Sequence, residues 1–242
     1  MKKLISIIFM PLLIFIFADI VLGYICNPAD PICGPIPTDA CNVVQNLTLI
    51  PGTYNLPSGI DICGFNITNN IMLDCNGATL NGSSLYGPGS IGIRNIDTNG
   101  TIIKNCNVVK YNNGIFVSHY NNLITNNTLF LNSNVGLGIA SHNSTFINNN
   151  VSSNYQYGIR IVSNYSKIIR NIISSNINNG LDVEGNYNIF IDNEISYNGE
   201  SGIYLQYSNL NNFSNNSMYG NRYNLNPSTS YFSLNKIGRA HV

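Results

Sequence analysis

Gly92, Gly114, Gly136, Gly158, Gly180 and Gly202 stand 22 residues apart. A fixed period of this length restricts a chain to a stacked-repeat architecture. The next step lands on Asn224, and Asn shares glycine's tolerance of left-handed backbone. Behind each position follows an aliphatic residue: Ile93, Ile115, Leu137, Ile159, Leu181, Ile203 and Leu225. Two residues further on come Val117, Ile139, Ile161, Val183 and Leu205. Apolar residues at alternate positions mark a short strand with one buried face. A second apolar cluster recurs as Ile102-Ile103, Ile124, Phe146-Ile147, Ile168-Ile169, Phe190-Ile191 and Phe213, and a third as Leu129, Val151, Ile173 and Ile195. Three strands per repeat are predicted.

Between the second and third clusters lies a file of Asn105, Asn127, Asn149, Asn171, Asn193 and Asn215. Five residues later Asn132, Asn154, Asn176 and Asn198 form another, ending in Gly220. The chain holds 44 Asn, roughly 18%, against 9% charged residues and about 25% charged in an ordinary domain. Asn is a poor helix former. If each repeat is one coil, equivalent amides stack roughly 4.8 Å apart. A carboxamide carries both donor and acceptor, so it bonds above and below, whereas a file of Asp would repel itself. Two solenoids fit the period, a right-handed parallel β-helix and a leucine-rich repeat. The latter needs Leu-dominated columns and often a helical arc; Ile and Val fill the columns here and no stretch of ten residues reads as a helix. The fold predicted is all-β, a right-handed parallel β-helix with an Asn ladder.

The unit G-[IL]-x-[VIL] followed by I-x-x-N, with the segment IMLDCNGATLNGSS leading into GTIIKNCNVV, resembles the NosD-like right-handed parallel β-helix repeat family of secreted and cell-surface proteins. The resemblance spans about residues 64 to 236. It implies a carbohydrate-binding or sugar-hydrolysing β-helix, related to pectate lyases and polygalacturonases, or a periplasmic accessory of copper-site maturation. A fold of this kind hosts many activities.

Residues 1–23 read as a signal peptide: Lys2 and Lys3, an apolar run to Leu22 broken by Pro11 and Asp19, and a small exit residue, Gly23. A retained anchor is the competing reading, and membrane contact is expected only through an uncleaved segment. Residues 24–70 then form a Cys-rich N-terminal cap with the opening coil, and residues 71–236 the β-helix. Residues 237–242, IGRAHV, match one reading frame of a common sequencing adapter and are expected to be non-native. Cys26, Cys33, Cys41, Cys63, Cys75 and Cys106 are even in number and fit three disulfides in an oxidising compartment. The resemblance implies the pairs Cys75–Cys106, Cys41–Cys63 and Cys26–Cys33. A secreted or cell-surface location follows.

With 11 basic and 11 acidic residues and no basic cluster, nucleic acid is excluded as a partner. Polysaccharide-cleaving sites need clustered carboxylates, with a cation or Arg beside them. The densest acidic stretch holds Asp182, Glu184, Asp192, Glu194 and Glu200. Asp182 and Glu184 alternate with Leu181 and Val183, so they share an outer strand face, and Arg160 precedes Asp182 by one coil. Asp182, Glu184 and Arg160 are therefore the catalytic candidates. The bland reading is an ion-pair stack, with Arg170 under Asp192 likewise. His119 and His142 fall on adjacent coils without further ligands, and the Met residues are scattered, so neither a metal site nor a cofactor is expected. Tyr165 and Tyr187 are one coil apart, as are Tyr197 and Tyr219. Their rings suit sugar CH faces, making a polysaccharide or cell-surface glycan the expected partner, unless they merely stabilise the stack. Ten N-x-[ST] sequons occur, at Asn46, Asn66, Asn81, Asn99, Asn126, Asn143, Asn150, Asn164, Asn212 and Asn215, and Asn215 is expected to be sequestered in the ladder. The function read from sequence is an exported, non-catalytic β-helix for carbohydrate binding or cell-surface interaction. A polysaccharide lyase or glycoside hydrolase is the alternative.

Overall fold

The computed structural model describes residues 27–64, 70–83, 89–95, 97–227 and the backbone of 236–237. Residues 1–23, read above as a signal peptide, and Cys26, the sequon at Asn66 and the tail from 238 lie outside the described residues. The chain winds as a right-handed parallel β-helix. Among the described residues three parallel sheets of nine, nine and eight strands run along it, called A, B and C here in the order the chain visits them. One coil illustrates the path. Strand Asn113–Tyr120 belongs to sheet A, Leu123–Thr125 to sheet B and Thr128–Phe130 to sheet C, before Val135–His142 returns to sheet A. Every strand pair is parallel, so each backbone group in a coil finds its partner in the coils before and after.

The inward columns carry the core. Ile93, Ile115, Leu137, Ile159, Leu181 and Ile203 line sheet A, and Ile103, Ile124, Phe146, Ile168, Phe190 and Phe213 line sheet B. Val108, Leu129, Val151, Ile173, Ile195 and Met218 line sheet C. These side chains are all buried, and each contributes about 1.5–3 kcal/mol of apolar burial. Phe190 and Phe213 stack with centroids 4.4 Å apart.

Each corner is built from two residues. From residue 121 onward the first adopts left-handed backbone and points to solvent, and the second turns inward and is polar; earlier corners place Cys106 and Tyr111 at the inward position. At the B–C corner the left-handed residues are Asn105, Asn126, Asn148, Arg170, Asp192 and Asn215, with φ between 51° and 56°. The inward residues behind the last five are Asn127, Asn149, Asn171, Asn193 and Asn216, all buried. Two members of the expected ladder are thereby corrected: Asn105 and Asn215 are its outward neighbours. The cause is coil length. Lys167 pairs with Ile189 at 22 residues, but Ile102 pairs with Leu123 at 21 and Ile189 with Asn212 at 23. In the coil before Asn127 the ladder position is held by Cys106, whose N–H donates to Asn127 Oδ1 at 3.0 Å. The C–A file likewise ends in Asn221, not Gly220: Asn198 Nδ2 donates to Asn221 Oδ1 at 2.9 Å. A third file at the A–B corner, Thr101, Asn122, Ser144, Ser166, Asn188 and Asn211, is also buried; its mixed residues hid it in the sequence.

The 22-residue glycines are needed for space, not for left-handed backbone. A Cβ on Gly158 would lie 2.6 Å from Asn176 Nδ2 and 2.7 Å from the Gly180 carbonyl oxygen. The ladder amides of the C–A corner pack against these glycines.

Cys75 and Cys106 form a disulfide between adjacent coils. Cys33 bonds Cys41, and Cys63 is disulfide-bonded as well. The pairs Cys41–Cys63 and Cys26–Cys33 are therefore corrected. Strand Cys41–Val43 runs beside the 31–33 segment, where the N–H groups of Asn42 and Cys33 reach the carbonyls of Pro31 and Asn42. That pairing brings Cys33 and Cys41 within bonding reach, with Cα atoms 5.0 Å apart.

Candidate functional site

Strands Tyr157–Ile161, Leu181–Val183 and Ser201–Leu205 of sheet A place Arg160, Asp182 and Tyr204 in one outward column. Glu184 follows two residues after Asp182, with Gln206 in the next coil. The Arg160 guanidinium donates to Glu184 Oε1 at 2.6 Å, whereas its Nε lies 3.6 Å from Asp182 Oδ2. Gln206 Nε2 donates to the same Glu184 oxygen at 2.8 Å and reaches Asp182 Oδ1 at 3.5 Å. On the other side, the guanidinium carbon stands 5.8 Å from the Tyr157 ring centroid. The three sequence-derived candidates are thus brought together, and Tyr157, Tyr204 and Gln206 join them.

Glu184 takes the main share of the arginine's charge, and Asp182 is left in a dry setting. Burial pushes the Asp182 carboxyl up to about 7; Arg160 and Gln206 oppose the rise and Glu184 adds to it. Burial also raises the Tyr157 hydroxyl, with Asp182 adding to the effect. A carboxyl that keeps its proton near neutrality is what a general acid needs. Access is what it lacks, because the Asp182 side chain is 2% exposed and that of Glu184 6%. The same sheet repeats the device earlier. Asp61 and Arg94 pair in the column that leads through Phe116 and Gly138 to Arg160, and Arg94 Nε donates to Asp61 Oδ1 at 2.8 Å. The second expected ion pair does not form. Arg170 and Asp192 occupy successive left-handed corner positions and, among the described residues, share no salt bridge, because both side chains project into solvent.

Three of the four tyrosines sit at corners, whereas Tyr219 ends the sheet C strand Ser217–Tyr219 and pairs with Ser196, one residue out of register with Tyr197. Tyr165 and Tyr187 occupy left-handed positions at the A–B corner, φ 61° and 58°, where the two preceding coils have Asn121 and Asn143. Their rings stack 4.9 Å apart at 6°. Tyr197 takes the equivalent position at the C–A corner, φ 54°, where earlier coils have Ser153 and Ser175. It meets Tyr219 edge to face, 5.4 Å between centroids at 87°, and its ring lies on the backbone of Gly220, where a Cβ would come within 2.5 Å. Tyr219 also donates its hydroxyl to Glu194. All four rings are exposed, Tyr197 to 62% and Tyr165 to 59%. Tyr155 and Ile177 extend the exposed apolar ridge at the C–A corner.

His119 and His142 are one residue out of register, since His119 pairs with Ser141 and Tyr120 with His142. His119 Nδ1 is 2.9 Å from Ser118 Oγ. His142 Nδ1 accepts the Asn164 N–H at 3.0 Å, and its ring stacks on Tyr120. His142 thereby begins an outer file in which Asn164 Oδ1 accepts the Asn186 N–H and Asn186 Oδ1 that of Asn209. Among the described residues no three His, Cys, Asp or Glu side chains form a cluster that could hold a metal ion.

Residues 135–239 match the family described as right handed beta helix region. Among solved structures, the mannuronan C-5 epimerase AlgE6 A-module of Azotobacter vinelandii is similar over 79% of this chain and 59% of its own, with 18% identity and a TM-score of 0.61. Pectate lyase Pel9A is similar over 74% and 56%, with 18% identity and a TM-score of 0.59. The periplasmic alginate epimerase AlgG is similar over 83% and 50%, with 16% identity and a TM-score of 0.62. The chain therefore spans between half and three-fifths of the length of these structures. No curated protein sequence matches it.

Proposed function

We propose that the chain is an exported, non-catalytic β-helix that binds polysaccharide along its two tyrosine-bearing corners, with residues 1–23 as signal peptide. The observation that carries this reading is the conformation of the tyrosines. Left-handed backbone costs an ordinary L-residue about 1–2 kcal/mol, and Asn or Gly meets that cost best. Tyr165, Tyr187 and Tyr197 accept it at corner positions that other coils fill with Asn, Ser, Lys110, Leu131 or Leu210, yet leave their rings in water. Such strain without core burial marks a functional surface. Aromatic faces pack on sugar CH groups, and the many corner carboxamides are ready partners for hydroxyls. That three structures of the same fold are named as enzymes of mannuronan, pectate and alginate agrees with a polysaccharide ligand.

Affinity electrophoresis against a panel of polysaccharides tests the reading. At least one polymer is expected to retard the protein, and replacing Tyr165, Tyr187, Tyr197 and Tyr219 by Asn is expected to abolish the retardation. No retardation by any polymer overturns it.

One observation favours a second reading, a polysaccharide lyase or glycoside hydrolase using Asp182, Glu184 and Arg160: the Asp182 carboxyl stays protonated up to about pH 7. The enclosure of both acids favours the non-catalytic reading.

A further inference from the structure

Two sequons, Asn126-Asn127-Thr128 and Asn215-Asn216-Ser217, occupy the same place in different coils. In each, the first Asn is the left-handed, exposed residue of the B–C corner. The middle Asn turns inward as a ladder residue, and the hydroxyl residue opens the next strand in an outward column of sheet C. Among the described residues, the carboxamides of Asn126 and Asn215 make no hydrogen bond.

Most of the other described sequons are built into the fold. Asn81 Nδ2 donates to Asn55 Oδ1 while its Oδ1 accepts the Ser83 N–H. Asn143 Nδ2 donates to Asn121 Oδ1 at 2.7 Å. Asn99 and Asn164 accept backbone N–H groups of Tyr120 and Asn186. Asn46 accepts that of Met72. Asn150 lies half-buried on a sheet C strand, and Asn212, though exposed, lies within a sheet B strand in register with Ile189 and not at a left-handed corner.

We infer that Asn126 and Asn215 are acceptor sites for N-linked glycans, four coils apart on one corner of the solenoid. The inference rests on the proposed export, because the donor is a lipid-linked oligosaccharide handled at the exporting membrane. In the transfer, the carboxamide nitrogen bonds to C1 of the first sugar, and the C1–O bond to the lipid diphosphate breaks. The diphosphate leaves with the electron pair, and the amide gives up one proton to solvent. The exposed corner carboxamide retains its remaining N–H and its oxygen, and the ladder behind it is untouched. A glycan on Asn81 or Asn143 would instead crowd an amide already bonded to its neighbour. Among the described residues the B–C corner carries no tyrosine in left-handed backbone, so glycans there leave the A–B and C–A corners open for a polysaccharide.

The test is secretion of the full chain from a glycosylating host, once with its own N-terminus and once behind an added host leader, followed by peptide mass mapping after enzymatic deglycosylation in heavy-oxygen water. Folded protein from the leader arm is expected to carry glycan at Asn126 and Asn215. The double variant Asn126→Gln, Asn215→Gln is expected to lose two glycan masses while remaining secreted. Folded, secreted protein unmodified at both positions, or modified chiefly at Asn81, Asn143 or Asn164, overturns the inference. Retention of only the arm lacking the added leader counts against export and leaves the glycan result of the other arm to stand.

Discussion

Asn171 and Asn193 stand one coil apart, and a single oxygen of Asn193 holds two groups of Asn171. Asn193 Oδ1 accepts the Asn171 backbone N–H at 2.9 Å and its side-chain Nδ2 at 3.0 Å. Asn171 Nδ2 also donates to the Phe146 carbonyl at 3.0 Å. Asn149 is bound to Asn171 in the same way. Each ladder amide thus closes the corner of the coil before it and is itself held by the amide of the coil after it. Asn171→Leu strands two donors of Asn149 and one carbonyl in a dry interior, and each such loss costs about 1–3 kcal/mol. Urea unfolding is expected to show a loss of at least about 2 kcal/mol, against less than about 1 kcal/mol for the exposed Asn148→Gly, whose backbone prefers glycine.

The glycine column admits a similar test. Gly158→Ala forces a Cβ against Asn176 Nδ2 and the Gly180 carbonyl. Overpacking of this kind costs about 1–3 kcal/mol. Thermal unfolding of Gly158→Ala is expected to occur several degrees below wild type, although the position does not require left-handed backbone.

Stability is expected to fall as pH rises between about 4 and 7. Below the ordinary value of 3.8, Asp182 is protonated in both folded and unfolded chains, and its burial is unopposed. Above it, the unfolded chain releases a proton that the folded chain keeps until about 7, so the folded state loses ground with each pH step. Asp182→Asn removes this dependence while Arg160 keeps Glu184. Urea titrations at pH 4 and pH 8 are expected to show the variant gaining stability chiefly at pH 8. A larger loss at pH 8 than at pH 4 would mean an ionised Asp182 held by Arg160.

Tyr165 and Tyr187 offer a contrast between stability and binding. Replacing both by Asn relieves two left-handed aromatic residues, at about 1–2 kcal/mol each, and forfeits one ring stack worth about 0.5–1.5 kcal/mol. Stability is expected to rise or stay level in calorimetry, while retention on the bound polysaccharide weakens.

The solenoid, its coil length and its inward columns were legible because a stacked fold repeats each position's chemistry, so one strand's pattern is read many times. Asn105 and Asn215 were misassigned because a 22-residue step cannot register coils of 21 and 23 residues; the neighbours Asn126-Asn127 and Asn215-Asn216 carry two opposite roles side by side. The file through Ser144 and Ser166 leaves no single-residue signature in the sequence, because a corner needs an inward polar atom, which Thr, Ser and Asn all supply. Arg160, Asp182 and Glu184 were found through the alternation along one strand. Tyr157, Tyr204 and Gln206 were not, since their relation to Asp182 depends on how long side chains lie across the sheet. Nor does sequence distinguish a Tyr on a strand from a Tyr in left-handed backbone, which is what sets Tyr165, Tyr187 and Tyr197 apart.

The measurement that bears most directly on the account is polysaccharide binding and product formation followed together on wild type, Asp182→Asn and the four-tyrosine variant. Wild type and Asp182→Asn are expected to be retarded equally by a polymer that emerges unshortened and unaltered, and the tyrosine variant is expected not to be retarded. Cleavage or epimerisation of the polymer that disappears in Asp182→Asn, or binding indifferent to all four tyrosines, would contradict it.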